Sequence, residues 1–381
     1  MKYLIYIIIL LIASKIIFTY VQITNYNSLK KEKNDVIERA NYLLNKLNTP
    51  YNTITNMPAS IGPQFQGEWA LYSCSMLSTA LVNISKLYPE QKQPNIQHID
   101  SLINIVTSFE LRYYDAMRWA EDPLDNFHSN NSHLSYLSHL ALMICNYKQL
   151  TDNHKHDDLL HTICETMNRR ILASECLNIQ TYPGEPIYIP DMLVAIVALK
   201  QYSDFYNNQY ISTVDQWVNK AKNEWIDNET GLLVSILNTD GSQYENMNIK
   251  GSYAALNCHY LTYIDQIFAK EQYNKLKSLF WKNGLIRGLK EYHNKTCHFG
   301  FDIDAGPILF ELTPSGTAFF AGPATFFNDN KVRKNILTTA EIAGTTIKYK
   351  KERHYLLANV ALVGEAIMLA MRTHYSDIRN K

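Results

Sequence analysis

Three stretches of this sequence gather side chains that can move protons or hold a polar substrate. The first is Arg118-Trp119-Ala120-Glu121-Asp122-Pro123, continuing at Ser132-His133-Leu134-Ser135-Tyr136-Leu137-Ser138-His139. Tyr136 and His139 are three residues apart and share a face if the segment is helical. A histidine titrates near neutrality, so His139 can act as general acid or base. The plainer reading is a core histidine bonded to a neighbouring helix, and for one histidine alone that reading is the stronger. The second stretch is Tyr182-Pro183-Gly184-Glu185-Pro186-Ile187-Tyr188-Ile189-Pro190-Asp191. Pro190 suits the first turn of a helix, and Asp191 faces the positive end of its dipole. That alone accounts for both, but Glu185 and Tyr188 just before an apolar helix also suit the rim of a cavity. The third is Gly300-Phe301-Asp302-Ile303-Asp304-Ala305-Gly306-Pro307. In extended chain Asp302 and Asp304 point to one side and Ile303 to the other, so the pair either faces a cavity or pins a loop. Calcium loops also contain Asp-x-Asp, but the rest of the EF-hand ligand pattern is missing. Glu68-Trp69 adds a carboxylate at a helix start, where it can equally serve the helix dipole. The chain has no Ser or Cys nucleophile elbow, P-loop or GxGxxG motif.

The elements that must position these groups are helices. Apolar residues recur at helical spacing over about 28–47, 67–87, 97–119, 132–149, 156–173, 190–205, 210–226, 250–267, 270–282, 315–327, 331–345 and 352–375. Segment 28–47 carries Val36, Ile37, Ala40, Leu43, Leu44 and Leu47 on one face and charge on the other. Strand patterns are scarce, the one convincing run being Leu232–Leu237. Paired, these helices make six hairpins, the number that closes a toroid, so the fold expected is all-α, an (α/α)6 toroid. The stretch after Trp225, turning at Gly231, fits a connection between such hairpins. The longest non-helical segment, 284–314, is too apolar for disorder and is expected to fold over the toroid's mouth.

Composition supports a large core and removes several classes. Apolar residues make up 46% and charged residues 19% of the 381, which excludes disorder. The 36 basic and 36 acidic residues cancel, so nucleic acid is not expected as a partner. Six widely spaced cysteines form no CxxC and no zinc pattern, so neither a disulfide scaffold nor a metal is expected, and no cofactor. The 26 tyrosines fit a carbohydrate- or terpene-lined cavity, though aromatic core packing explains them as simply.

Residues 3–24 read YLIYIIILLIASKIIFTYVQIT, long enough to span a bilayer as one helix. Lys15 lies past its midpoint and costs roughly 2.5–3.5 kcal/mol there before snorkelling. A signal peptide cut near Ser14 is the competing reading. Apolar sequence continuing from Ile16 to Tyr20 favours an uncleaved single-pass anchor. Lys30, Lys31 and Lys33 against Lys2 point to a cytoplasmic domain, but a large domain can cross regardless, and the side stays open. The domains expected are thus 1–25 as transmembrane anchor, 26–57 as juxtamembrane helix and linker, and 58–381 as barrel.

From about residue 110 to 329 the chain resembles the linalool dehydratase/isomerase family. The resemblance rests on Trp119…Asp122-Pro123, Tyr136-x-x-His139-Leu140, Pro190-Asp191 with Val194-Ala195, Thr230-Gly231, Gly251-Ser252-Tyr253-Ala254, and Asp302-x-Asp304-x-Gly306 with Ala318-Phe319, in the family's order. It implies an (α/α)6 barrel with a site at its mouth, and cofactor-free addition or removal of water at an allylic alcohol. His139 stands where the family has its histidine. The family's two thiols have no counterpart around Tyr188–Val197, which puts a thiol mechanism in doubt.

Three functions compete. The first is a membrane-anchored lyase or isomerase of the dehydratase type, with His139 moving the proton, Asp191 or Asp304 as partner carboxylate and Tyr136 as hydrogen-bond donor. The second is a carbohydrate-active toroid (hydrolase, lyase or epimerase), with acids such as Glu68 and Asp304 acting on a sugar stacked on Trp119 and Tyr253, near Tyr188 and Asp302. The third is a non-catalytic binding protein of the cell envelope. The partners expected are a small-molecule substrate or glycan and the bilayer through residues 3–24; a homo-oligomer is left open.

Overall fold

The computed structural model describes residues 2–24, 26, 29–244, 248–284, 286–294, 297–302 and 305–376. Its helices in chain order begin with α1 (Lys2–Thr24), α2 (Leu29–Lys46), α3 (Pro50–Thr55), α4 (Gly62–Leu87) and α5 (Lys92–Val106). Next come α6 (Phe109–Trp119), α7 (Leu134–Lys148), α8 (Asp157–Ala173), α9 (Ile189–Phe205) and α10 (Ile211–Glu224). The last are α11 (Gly251–Ile264), α12 (Gln266–Phe280), α13 (Pro314–Phe326), α14 (Asn330–Gly344) and α15 (Leu362–Arg372).

Two kinds of helix sort into two layers. In α7 every residue from Leu134 to Tyr147 is buried, and α4 is buried without a break from Ser73 to Ser85. Helices apolar on all sides must sit inside. Helix α10 instead buries a stripe of Thr213, Val214, Trp217, Val218 and Ala221, and so lies outside. Among the described residues six helices form the inner ring. α4 packs on α7, α7 on α9, α9 on α11, α11 on α13, α13 on α15, and α15 back on α4. Helices α2, α5, α8, α10, α12 and α14 pack on this ring from outside. The architecture is an α/α toroid, with α2 standing in its outer layer.

Several local expectations are corrected. The fold is mostly helical but not all-α: among the described residues four two-stranded antiparallel sheets occupy its loops. β1 (Ile187–Tyr188) pairs with β2 (Ile236–Leu237), and β3 (Trp281–Lys282) with β4 (Gly288–Leu289). β5 (Phe299–Asp302) pairs with β6 (Gly306–Leu309), and β7 (Thr346–Tyr349) with β8 (Glu352–Tyr355). Strands of two to four residues are too short to display an alternation. The supposed helix 352–375 therefore opens with β8 and a 3-10 turn, Leu356–Asn359, before α15 begins. The supposed helix 97–119 breaks in two because the Ser108 hydroxyl accepts from Leu111 N and caps α6. The linker after α2 holds α3, with Thr49 as its cap and Pro50 in its first turn.

Part of the charged side of α2 is buried rather than solvated. Glu32, Asp35 and Arg39 are buried among Arg333, Arg353, Glu365 and Arg372. Arg39 bonds Asp35 at 3.1 Å, Glu365 at 2.6 Å and Thr346 at 2.7 Å. Arg372 bonds Asp35 at 2.6 Å and Glu32 at 3.1 Å, and Arg333 grips Glu32 with two nitrogens at 2.7 and 2.8 Å. This network ties α2 to α14, β8 and α15, where the ring closes.

Among the described residues one helix is long and apolar enough to cross a membrane, over Tyr3–Ile23. Its length and composition suit an anchor and a signal sequence alike. Residues 3–14 are all exposed, whereas Thr19 is buried and Ile23 packs on the core. Lys15 is not left to snorkel. Its ammonium donates to the carbonyl of Glu341 at 3.0 Å and contacts the Thr345 hydroxyl, at the C-terminal, negative end of α14.

Candidate active site

The inner helices all begin at one end of the toroid, where a cavity of about 770 Å³ opens. Glu68 comes from the second turn of α4, His139 from α7, Asp191 from the first turn of α9, and Ser252 and Tyr253 from the start of α11. The 182–191 loop adds Tyr182, Glu185 and Tyr188, and the 305–315 segment forms part of the wall, so the 284–314 segment does reach the mouth.

At the centre lies one phenol. Tyr72 donates to Glu68 Oε1 at 2.8 Å, and its oxygen is 3.4 Å from Asp191 Oδ1. The second oxygen of Asp191 accepts from the Thr181 hydroxyl at 2.6 Å. Burial, reinforced by these two carboxylates, pushes the Tyr72 phenol well above its ordinary range, so it stays protonated. A phenol has one hydrogen and can satisfy one carboxylate at a time. Behind it, the hydroxyl of Ser135 lies 3.3–3.4 Å from the phenols of Tyr72, Tyr114 and Tyr182. Arg118 spans this rim, paired with Glu185 and lying 4.1 Å over the Tyr182 ring.

The His139 ring lies against Tyr72, centroids 4.5 Å apart and tilted by 39°, and its Nδ1 is 2.8 Å from Ser75 Oγ. Burial pulls its pKa down to about 3, so the ring is neutral at physiological pH and a weak proton acceptor.

The structure brings Glu68, His139, Tyr188, Asp191 and Tyr253 together around this cavity. It does not bring Tyr136 there. Three residues apart on a helix still means about 60° around the axis, and Tyr136 turns outward to donate to Val106 O at 3.0 Å, while His139 turns to α4. Trp119 does not line this cavity, and its ring packs at 5.4 Å on buried His133. Asp302 is held by Lys250 at 2.6 Å, outside the described lining. Asp304 lies outside the described residues. Tyr72, Thr181 and Ser135 are the groups that sequence reasoning missed. Tyr72 carried one signal: it is four residues from Glu68, on the same helix face. Among the described residues no cysteine lines the cavity, so a thiol mechanism finds no residue here.

Behind Ser252 lies Glu291, fully buried, accepting from Ser252 N at 3.1 Å and from its hydroxyl at 2.8 Å. Burial outweighs these bonds and pushes its pKa from 4.5 to about 7. The folded chain therefore keeps a proton that the unfolded chain has lost between pH 4.5 and 7, and stability falls as pH rises through that window. Glu291→Gln keeps an acceptor and removes the titration. At pH 8 it should be more stable than wild type by about 2–3 kcal/mol, with no gain at pH 4, as read from urea midpoints.

No family model matches the sequence, and no curated protein matches it significantly. Solved structures do match in shape. A glycoside hydrolase of family 105 from C. acetobutylicum ATCC 824 superposes with a TM-score of 0.56 over 79% of this chain and 92% of its own, at 8% identity. The GH76 alpha-mannanase of Bacteroides thetaiotaomicron gives 0.47 over 80% and 85%, at 11% identity. At such identity the first likeness establishes the toroid fold and nothing finer.

Proposed function

We propose that this chain is a carbohydrate-active enzyme whose acid–base pair is Glu68 and Asp191. One observation carries the reading: two carboxylates meet at a single phenol in a cavity walled by Phe65, Trp69, Tyr182, Tyr188, Tyr253 and Tyr260. Aromatic faces suit the C–H faces of a sugar ring, and paired carboxyl groups are what glycosidic cleavage needs. One carboxyl group gives its proton to the departing glycosidic oxygen. The other accepts a proton from the attacking water, whose oxygen remains on the sugar carbon. Neutral His139 holds Tyr72 in place through its tilted ring contact rather than moving the proton. That a glycoside hydrolase shares the toroid is compatible with this reading, but the site supplies the chemistry.

A dehydratase-type reaction on an apolar alcohol keeps one supporting observation, the aliphatic part of the wall, with Val194, Leu256, Leu312 and Met368. One panel separates the two. The full chain is incubated with oligosaccharides and, separately, with allylic isoprenoid alcohols. Release of reducing ends supports the proposal. Loss or gain of water at an alcohol, with every glycan intact, rejects it in favour of the second reading.

A further inference from the structure

We propose that the substrate is a glycolipid, its sugar seated at Glu68 and Asp191 and its hydrocarbon chain lying in a side groove that leads towards the apolar helix α1. The inference rests on the carbohydrate-active reading and adds the class of aglycone.

The cavity is not a closed bowl. Its lining extends beyond the inner ring to α14 and to the segment joining β8 to α15, a lateral arm of the same cavity. Ile336, Ala340 and Ala343 line one side of this arm, and Leu357, Val360 and Val363 the other. The carboxylate reaching the arm, Glu365, is already bonded to Arg39 and to the backbone N–H of Tyr355. Thr339, whose hydroxyl donates to Arg287 O, and Tyr355 add two hydroxyl groups, and the rest of this surface is aliphatic and favours methylene groups.

The rim of the same opening is apolar and exposed. Leu309, Phe310, Leu357 and Val360 line the cavity yet are 49%, 56%, 53% and 68% exposed. Next to them on the β5–β6 hairpin, Phe299 and Phe301 are 67% and 78% exposed. Isolated exposed apolar residues need no explanation, whereas a cluster around an opening marks a surface that meets lipid or protein. Phe and Leu on such a rim suit the headgroup–acyl boundary of a bilayer.

The position of α1 decides between those partners. Lys15 contacts the carbonyl of Glu341 and the hydroxyl of Thr345, while Ala343 and Gly344, between those two, line the groove. The fully exposed apolar stretch 3–14 therefore leaves the domain at the edge of the groove. With that stretch in a bilayer, the apolar rim and the groove lie beside the membrane surface. A sugar can then enter the cavity while its chain never passes through water, where each exposed methylene is unfavourable.

The test uses the full chain in phosphatidylcholine vesicles. Two photoreactive probes carry the same mid-chain diazirine, one on a monoglucosyl diacylglycerol and the other on phosphatidylcholine, and labelled peptides are mapped by mass spectrometry. The glycolipid should label peptides covering 336–344 and 356–361 about tenfold above the phospholipid, a preference of the size one well-made recognition supplies. Val360→Glu, at an exposed position, should abolish that labelling and leave labelling of α1 intact; Ala340→Trp, which narrows the groove, should do the same. Equal labelling of the groove by both probes, or labelling confined to α1, overturns the proposal. The two readings fail separately. If a soluble glycan is cleaved in a Glu68-dependent manner but the groove takes no glycolipid, only the lipid site falls. If the groove takes glycolipid selectively while Glu68→Gln changes no glycan turnover, only the carbohydrate chemistry falls.

Discussion

Glu68→Gln and Asp191→Asn, each made in the full chain, should lower turnover of a cleaved glycan by about 10²–10⁴-fold, the range by which a positioned acid or base accelerates proton transfer. Each replacement keeps the size and one acceptor oxygen, so Tyr72 and Thr181 retain partners at these positions. The melting midpoint should accordingly stay close to that of wild type, and KM should change far less than kcat. Tyr72→Phe is the informative companion. It removes the hydroxyl shared by the carboxylates without touching either of them, and the expected loss is about 10–100-fold, equivalent to the 1.5–3 kcal/mol of a hydrogen bond to a charged group. Loss of folding in all three variants, or wild-type turnover in both carboxyl variants, would remove the acid–base assignment. A histidine mechanism makes the opposite forecast: His139→Asn would abolish activity while the carboxyl variants kept it.

The largest effect on stability is expected at Arg39, far from that chemistry. Arg39→Ala leaves Asp35 and Glu365 buried at 1% exposure with part of their positive partner gone. Removing one side of a buried ion pair costs about 3–5 kcal/mol, because the remaining charge is stranded. Urea unfolding should show that loss, whereas Lys348→Ala, at an exposed pair with Glu38, should stay within about 1 kcal/mol. The same network predicts acid lability. Burial raises the Asp35 carboxyl, but the guanidinium groups of Arg39, Arg372 and Arg353 outweigh it and hold the group well below the usual carboxylate range. Its contribution is complete above the unfolded value of about 3.9 and is lost as pH falls below that value. Wild type should therefore lose stability steeply below about pH 4, and Asp35→Asn should show a lower plateau and a shallower acid limb.

How these groups come to be buried marks the boundary between sequence and tertiary structure. The sequence by itself determined the helices and their layer. A helix with apolar residues on every side, such as α7 with Leu134, Leu137, Leu140, Ala141, Leu142, Met143 and Ile144, must be enclosed, and a stripe such as that of α10 can only face inward from outside, so the toroid was legible before any contact was known. It also placed Glu68, Asp191 and Tyr253 near helix starts, and in an α/α toroid one set of such starts collects at a single mouth. Side-chain direction was not legible. Tyr136 and His139 share a helical face by spacing, yet rotamers and neighbours send one to α5 and the other to α4. Nor did the sequence single out Tyr72 from 26 tyrosines, since its role comes from Asp191, which is 119 residues away. The charged face of α2 shows the limit of periodicity. Amphipathic spacing assigns such a face to water, but Arg39 meets Glu365 across 326 residues and Arg333 meets Glu32 across 301. Periodicity reports only which face of a helix differs from the other. Whether a charged face meets solvent or its counter-charges depends on which distant segments the closed ring brings against it, and only the tertiary structure decides that.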